Sequence, residues 1–114
     1  MELLQPGETD YAVVKPKHSG FYSTTLDVLL VYLGVRTLIL TGIAGNSCVL
    51  FTANDAYMRD FQLFVPEDCV ASNTAEDNAH AVTQMRTLLK ADTRPSTQLD
   101  FTILRQEVAP SGRR

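Results

Sequence analysis

Long apolar runs are missing from this sequence. The longest, Leu26–Leu33, is broken by Asp27 and falls far short of the roughly 20 residues that cross a bilayer. Basic residues are few and scattered, with 10 Lys and Arg against 13 Asp and Glu, a formal charge of −3 and a pI near 5.2. That balance leaves no electrostatic footprint for nucleic acid or an anionic membrane surface, and both partners are set aside. Met1 is followed by Glu2, Gln5, Gly7, Glu8 and Asp10, which supply neither the basic start nor the apolar centre of a secretory signal. The expected location is the cytoplasm. Cysteine is scarce too: Cys48 and Cys69 are too few for a disulfide scaffold, and in a cytosolic setting each is expected as a free thiol. No internal repeat or low-complexity stretch is visible.

What is present fits one globular domain over 1–114, with 45% hydrophobic and 20% charged residues. The core is expected over 11–90 and a C-terminal extension over 91–114. Residues 11–14 form a short apolar, β-branched run stopped at Lys15-Pro16; the residue before a proline favours extended geometry, so Lys15 is predicted to end a strand. Leu26, Leu29, Leu30 and Leu33 recur at helical spacing ahead of Gly34, predicting a helix with one buried face and a glycine C-cap. The run over 35–40 suits a strand covered on both faces. Residues 42–47 read as a tight turn, 48–59 as a helix opened by Asn46 or Ser47, and 61–65 as a further strand. Thr74 opens the last long helix, with Asp77 three residues on and Ala79, Val82, Met85 and Leu89 on one face. Met85 and Tyr57 read as core. Strand and helix thus alternate three times, predicting an α/β fold of three α/β/α layers around a parallel sheet, with ligands at the carboxyl ends of the strands.

Two of those strand ends carry unusual chemistry. Lys15 stands at one, with the polar loop 16–23 behind it, and the 42–48 turn at another sets Cys48 at a helix N-terminus. A cysteine in a helix's first turn meets the positive end of the helix dipole and free backbone N–H groups, which favour thiolate and could also hold an oxyanion. An ammonium from Lys15 strengthens the same preference and yields a nucleophile for a carbonyl or nitrile carbon. Free cysteine is also among the most buried residue types, so on the residues alone Cys48 reads either as nucleophile or as a small packed side chain. Cys69 reads as packed, and His18 and Lys17 as solvated loop residues.

The stretches VVKPKHSGFYSTTLDVLLVYLGV (13–35) and LILTGIAGNSCVLFTANDAYMRDFQLFVPEDCVAS (38–72) closely resemble the second half of the isochorismatase-like cysteine hydrolases, which include nicotinamidases, N-carbamoylsarcosine amidases and ureidoacrylate amidohydrolases. A lysine at a strand end, an SGF loop, a G-I-A-x-N-x-C-V turn and a later E-D-x-V-A-S follow in the family's order. The resemblance implies Cys48 as nucleophile and Lys15 as the lysine of the triad. It implies an oxyanion hole from the N–H groups of Ala44 and Cys48, with a cis peptide between Ile43 and Ala44, and a pocket lined by Phe21 and Asn46. The implied substrate is a small amide or ureido compound attacked through a covalent acyl intermediate. No cofactor is implied. The family's triad aspartate comes from a strand far upstream of the lysine, as do the nicotinamidase metal ligands, so neither the aspartate nor a metal is expected here. Asp68 matches an acidic position that anchors the chain after the third strand. The first strands of the family sheet have no counterpart, and the strand ending at Lys15 is expected as an open apolar edge. Such an edge calls for a homo-oligomer or a covering partner. The alternative to a hydrolase is an inactive remnant, an assembly or binding subunit without the triad aspartate.

Overall fold

The structure, a computed structural model, describes residues 5–107, with side chains through 104. Residues 1–4, the first part of the N-terminal stretch read as lacking a secretory signal, and 108–114, the last part of the C-terminal extension, lie outside the described residues. Helix α1 (Leu26–Leu33) ends as its sequence predicts: Gly34 takes φ 70° and returns its N–H to the carbonyls of Leu30 and Val31. Strand β1 (Thr37–Ile39) and the two-residue β2 (Gly42–Ile43) follow. A π turn over Gly45–Val49 leads into α2 (Leu50–Met58), then come β3 (Gln62–Phe64), β4 (Val70–Ala71) and α3 (Ala75–Leu88). A short α4 (Phe101–Glu107) closes the described chain.

The pairings are parallel, β1 with β3 (Leu38 opposite Leu63) and β2 with β4 (Gly42 opposite Val70). A helix lies between the members of each pair, as parallel strands require. The core gathers Leu63, Val65 and Phe61 with Val49, Ala53 and Ala56, and with Ala81, Val82 and Met85. Met85 is wholly buried. Thr74 caps α3 as expected, its Oγ1 accepting the Asp77 N–H at 3.0 Å.

Several expectations need correction. No strand forms over 11–15. The segment has the β-branched composition of one, but a strand exists only where its backbone finds a partner, and among the described residues none pairs with it; Val14 is 93% exposed. The open apolar edge foreseen at Lys15 is therefore a largely exposed segment without strand pairing among the described residues. Tyr57 is exposed, and on α3 the buried face runs through Ala81 in place of Ala79. The core also reaches past residue 90. Asp92 exchanges backbone bonds with Leu63 and Val65 at 2.9 Å each, and Ala91 and Thr93 are buried, so 91–93 extends the β3 edge in parallel. Polarity hid this segment, because Asp92 and Thr93 satisfy their side chains locally: Asp92 binds Arg94, and Thr93 Oγ1 accepts from Arg86 Nε at 3.0 Å. Among the described residues no helix is long and apolar enough to cross a membrane.

Candidate active site

Cys48 sits half-buried within the π turn, between the end of β2 and the start of α2. Neither Asn46 nor Ser47 caps the helix. The cap position falls to Ala44, in extended geometry, whose carbonyl accepts the N–H groups of both Ser47 and Val49 at 3.1 Å. The wider i to i−5 ring places Cys48 inside the turn rather than at its first residue. The peptide between Ile43 and Ala44 is cis.

Lys15 reaches this turn from the other side. Its Nζ lies 3.5 Å from Cys48 Sγ and donates to the Lys17 carbonyl at 3.0 Å, a bond that turns the side chain back along its own loop. Among the described residues no carboxylate hydrogen-bonds to Cys48 Sγ. Asp10 is engaged elsewhere, accepting the Gly7 N–H at 2.7 Å.

The loop behind Lys15 is anchored to α2. Ser19 is buried and donates to Asp55 Oδ2 at 2.5 Å while accepting the Phe21 N–H at 3.1 Å; Gly20 N–H donates to Thr52 Oγ1 at 2.9 Å. His18, exposed, packs edge-on against the Phe51 ring at 5.4 Å. Phe21 is 5% exposed and belongs to the core, tilted against Phe61 with the Arg59 guanidinium 4.7 Å above its ring. Asn46 is exposed, and its N–H donates to Ser72 Oγ at 3.2 Å. The structure thus brings Lys15, Ala44, Asn46 and Cys48 to one turn and sets Phe21 into the packing beneath the loop.

Residues without a role in the sequence reading also reach this turn. Ser72 donates to Asn78 Oδ1 at 2.9 Å, and Asn78 Nδ2 donates to the Val70 carbonyl at 3.1 Å. The only sequence signal was that Ser72 closes the E-D-x-V-A-S stretch; nothing in the spacing showed that α3 delivers Asn78 to it. Asp68 accepts from the Ser96 hydroxyl at 2.6 Å and the Ser96 N–H at 2.8 Å, which together hold its carboxyl below the ordinary range. It therefore ties down a segment far along the chain. Among the described residues no group of three or more His, Cys, Asp or Glu is placed to hold a metal ion.

A family model described as the Isochorismatase domain matches residues 1–95. YaaI, an isochorismatase family protein of Bacillus subtilis (strain 168), is 53% identical over 96 residues, which cover 84% of this chain and 53% of YaaI. The ureidoacrylate amidohydrolase RutB of Methylorubrum extorquens is 46% identical over 61 residues, 54% of this chain and 25% of RutB. Among solved structures, an isochorismatase-like hydrolase from Alkaliphilus metalliredigens superposes with a TM-score of 0.83 at 32% identity, over 94% of this chain and 56% of that one. The chain thus spans about half the length of YaaI and of that hydrolase.

Proposed function

Because the chain belongs to the isochorismatase family, we propose that it carries the nucleophilic half of a cysteine hydrolase of a small amide or ureido compound, working in the cytoplasm. The observation that carries this reading is the approach of Lys15 Nζ to Cys48 Sγ at 3.5 Å. An ammonium beside a thiol favours the thiolate, which is the attacking form. In the proposed reaction Cys48 Sγ bonds to the carbonyl carbon, and the N–H groups of Ala44 and Cys48 receive the negative charge that develops on oxygen. The C–N bond then breaks, the amine leaves with a proton, and water cleaves the resulting thioester to regenerate the thiol. Donors of that kind are worth about 3 kcal/mol in a transition state, because they meet charge that is absent from the ground state. Asn46 is the proposed polar part of the pocket; Phe21, expected as its aromatic wall, is instead buried in the core beneath the loop that carries Lys15.

The proton taken from the thiol and returned to the amine needs a base. No described carboxylate hydrogen-bonds to Cys48 Sγ, so on this reading full turnover depends on an acid from a partner or from further chain, and acylation is the step the present residues support.

A second reading, a binding or assembly subunit, is favoured by exposed apolar side chains next to Lys15 and Ala44 and on α1. Val14 and Ile43 are 93% and 77% exposed, and Val28 and Tyr32 on α1 are exposed as well. A second copy or a covering partner would bury them. The deciding experiment incubates the purified chain with nicotinamide, ureidoacrylate-like and carbamoyl substrates, following product and intact mass, with Cys48→Ala as control. Product or a Cys48-dependent acyl adduct supports the hydrolase. Absence of both, with Cys48 alkylation indifferent to Lys15→Ala, overturns it in favour of the binding subunit, whose association sedimentation would then measure.

A further inference from the structure

The first amides of a helix have no acceptor within it and must find one elsewhere. In the Cys48 turn, the Asn46 N–H finds Ser72 Oγ, a side chain from beyond β4, at 3.2 Å. The direction of the remaining bonds is fixed by their chemistry. The Val70 carbonyl can only accept, so the amide nitrogen of Asn78 faces it and the amide oxygen faces Ser72. The single hydroxyl proton of Ser72 then goes to Asn78 Oδ1, which leaves the Ser72 oxygen to accept from Asn46. Every member of the chain is satisfied in this polarity alone. Both ends act on the nucleophile turn: Val70 lies in β4 opposite Gly42 of β2, just before the turn, and Asn46 lies inside it two residues from Cys48.

Gly45 belongs to the same arrangement. A Cβ there would collide with Asn78 Oδ1 and crowd Ser72 Oγ, so the relay occupies the space a side chain would need. Its backbone is also buried.

We infer that Ser72 and Asn78 are positioning residues that hold the Cys48 turn in its reactive geometry through the Asn46 amide. The inference deepens the proposed function and rests on the reading of Cys48 as nucleophile. The Asn46 amide, being taken by Ser72, is withheld from substrate, so charge on the reacting oxygen falls to the amides of Ala44 and Cys48.

The test is the rate of carbamidomethylation at neutral pH, mapped by peptide mass so that Cys69 serves as an internal control. Ser72→Ala is expected to slow Cys48 about fivefold, the size of one lost hydrogen bond, with Cys69 unchanged. Ser72→Thr, which keeps the hydroxyl, restores the rate. Asn78→Ala removes the acceptor for Ser72 and the donor to Val70 without adding a charge, and it slows Cys48, with circular dichroism and thermal unfolding reporting that the variant is folded. Combining Ser72→Ala with Asn78→Ala adds little, since the two act through one path. Wild-type Cys48 rates in both single variants, failure of Ser72→Thr to restore, or equal slowing at Cys69 overturns the inference. Lys15→Ala separates the two ideas: if it leaves Cys48 unaffected while Ser72→Ala slows it, the Lys15 activation that carries the proposed function fails and the positioning of the Cys48 turn stands.

Discussion

Lys15 Nζ stands 3.5 Å from Cys48 Sγ across a separation of 33 residues, although the segment that delivers the lysine forms no strand. Its position comes instead from the loop that follows. Ser19, Gly20 and His18 fasten that loop to Asp55, Thr52 and Phe51 on α2, the helix that continues from the Cys48 turn. Lysine and thiol are thus referred to one rigid element.

Replacing the ammonium should be visible in the thiol. At about 4 Å in a water-like surrounding, two unit charges interact by about 1 kcal/mol, equivalent to about a fivefold change in equilibrium. Lys15→Met, which keeps the apolar stem, is therefore expected to slow neutral-pH alkylation of Cys48 about fivefold, with Lys15→Arg intermediate. Raising the salt concentration should shrink the wild-type advantage, because the pair is exposed and screened. Stopped alkylation followed by mass spectrometry gives the rates.

The loop anchor makes a separate prediction. Asp55→Ala leaves the buried Ser19 hydroxyl without its acceptor and removes an ion-pair partner 3.7 Å from Arg59. The expected cost is about 1–3 kcal/mol in urea unfolding, the penalty of an orphaned buried polar group. Asp55→Asn retains an acceptor oxygen and should cost less. A drop in Cys48 alkylation should accompany Asp55→Ala even in the fully folded protein, since the loop carries Lys15.

Gly45→Ala is expected to destabilise by about 1–3 kcal/mol, as overpacking does elsewhere, because its new methyl meets Asn78 and Ser72. Shortening Asn78 to alanine opens that space. The double variant Gly45→Ala with Asn78→Ala should therefore be more stable than the sum of the single losses predicts, and a double-mutant cycle by thermal unfolding measures the coupling.

Acid should loosen the anchors that hold the segment after α3. Asp68 binds fewer protons folded than unfolded, because the Ser96 hydroxyl and N–H hold its carboxyl low. Its contribution is complete above about pH 5 and fades as pH falls through the lowered folded value. Asp92, held low by the Arg94 guanidinium, fades in the same direction. The difference in thermal midpoint between wild type and Asp68→Asn isolates Asp68: it should be constant near neutrality and narrow toward zero in acid. A difference that widens on acidification would contradict the Ser96 anchor.

Local rules settled much of this chain. The helix at 26–33 stops where Gly34 can take a left-handed conformation, α3 starts where Thr74 can cap Asp77, and the buried run before Pro66 pairs as a strand, all from spacing and turn chemistry in the sequence. The ordered motifs around Lys15 and Cys48 likewise marked the candidate site, because a family preserves the residue types its chemistry needs. Other features depended on partners that no local rule reveals. Residues 11–15 have a strand's composition and no strand to bond, whereas the polar 91–93 acquires strand pairing from β3. Only the folded chain brings Asn78 from α3 and Ser72 from beyond β4 onto the Asn46 amide. Backbone propensity and capping act over a few residues and can be read along the sequence; hydrogen-bond partnership in a sheet or a buried relay is decided by which distant groups packing sets within about 3 Å, and that belongs to the tertiary structure alone.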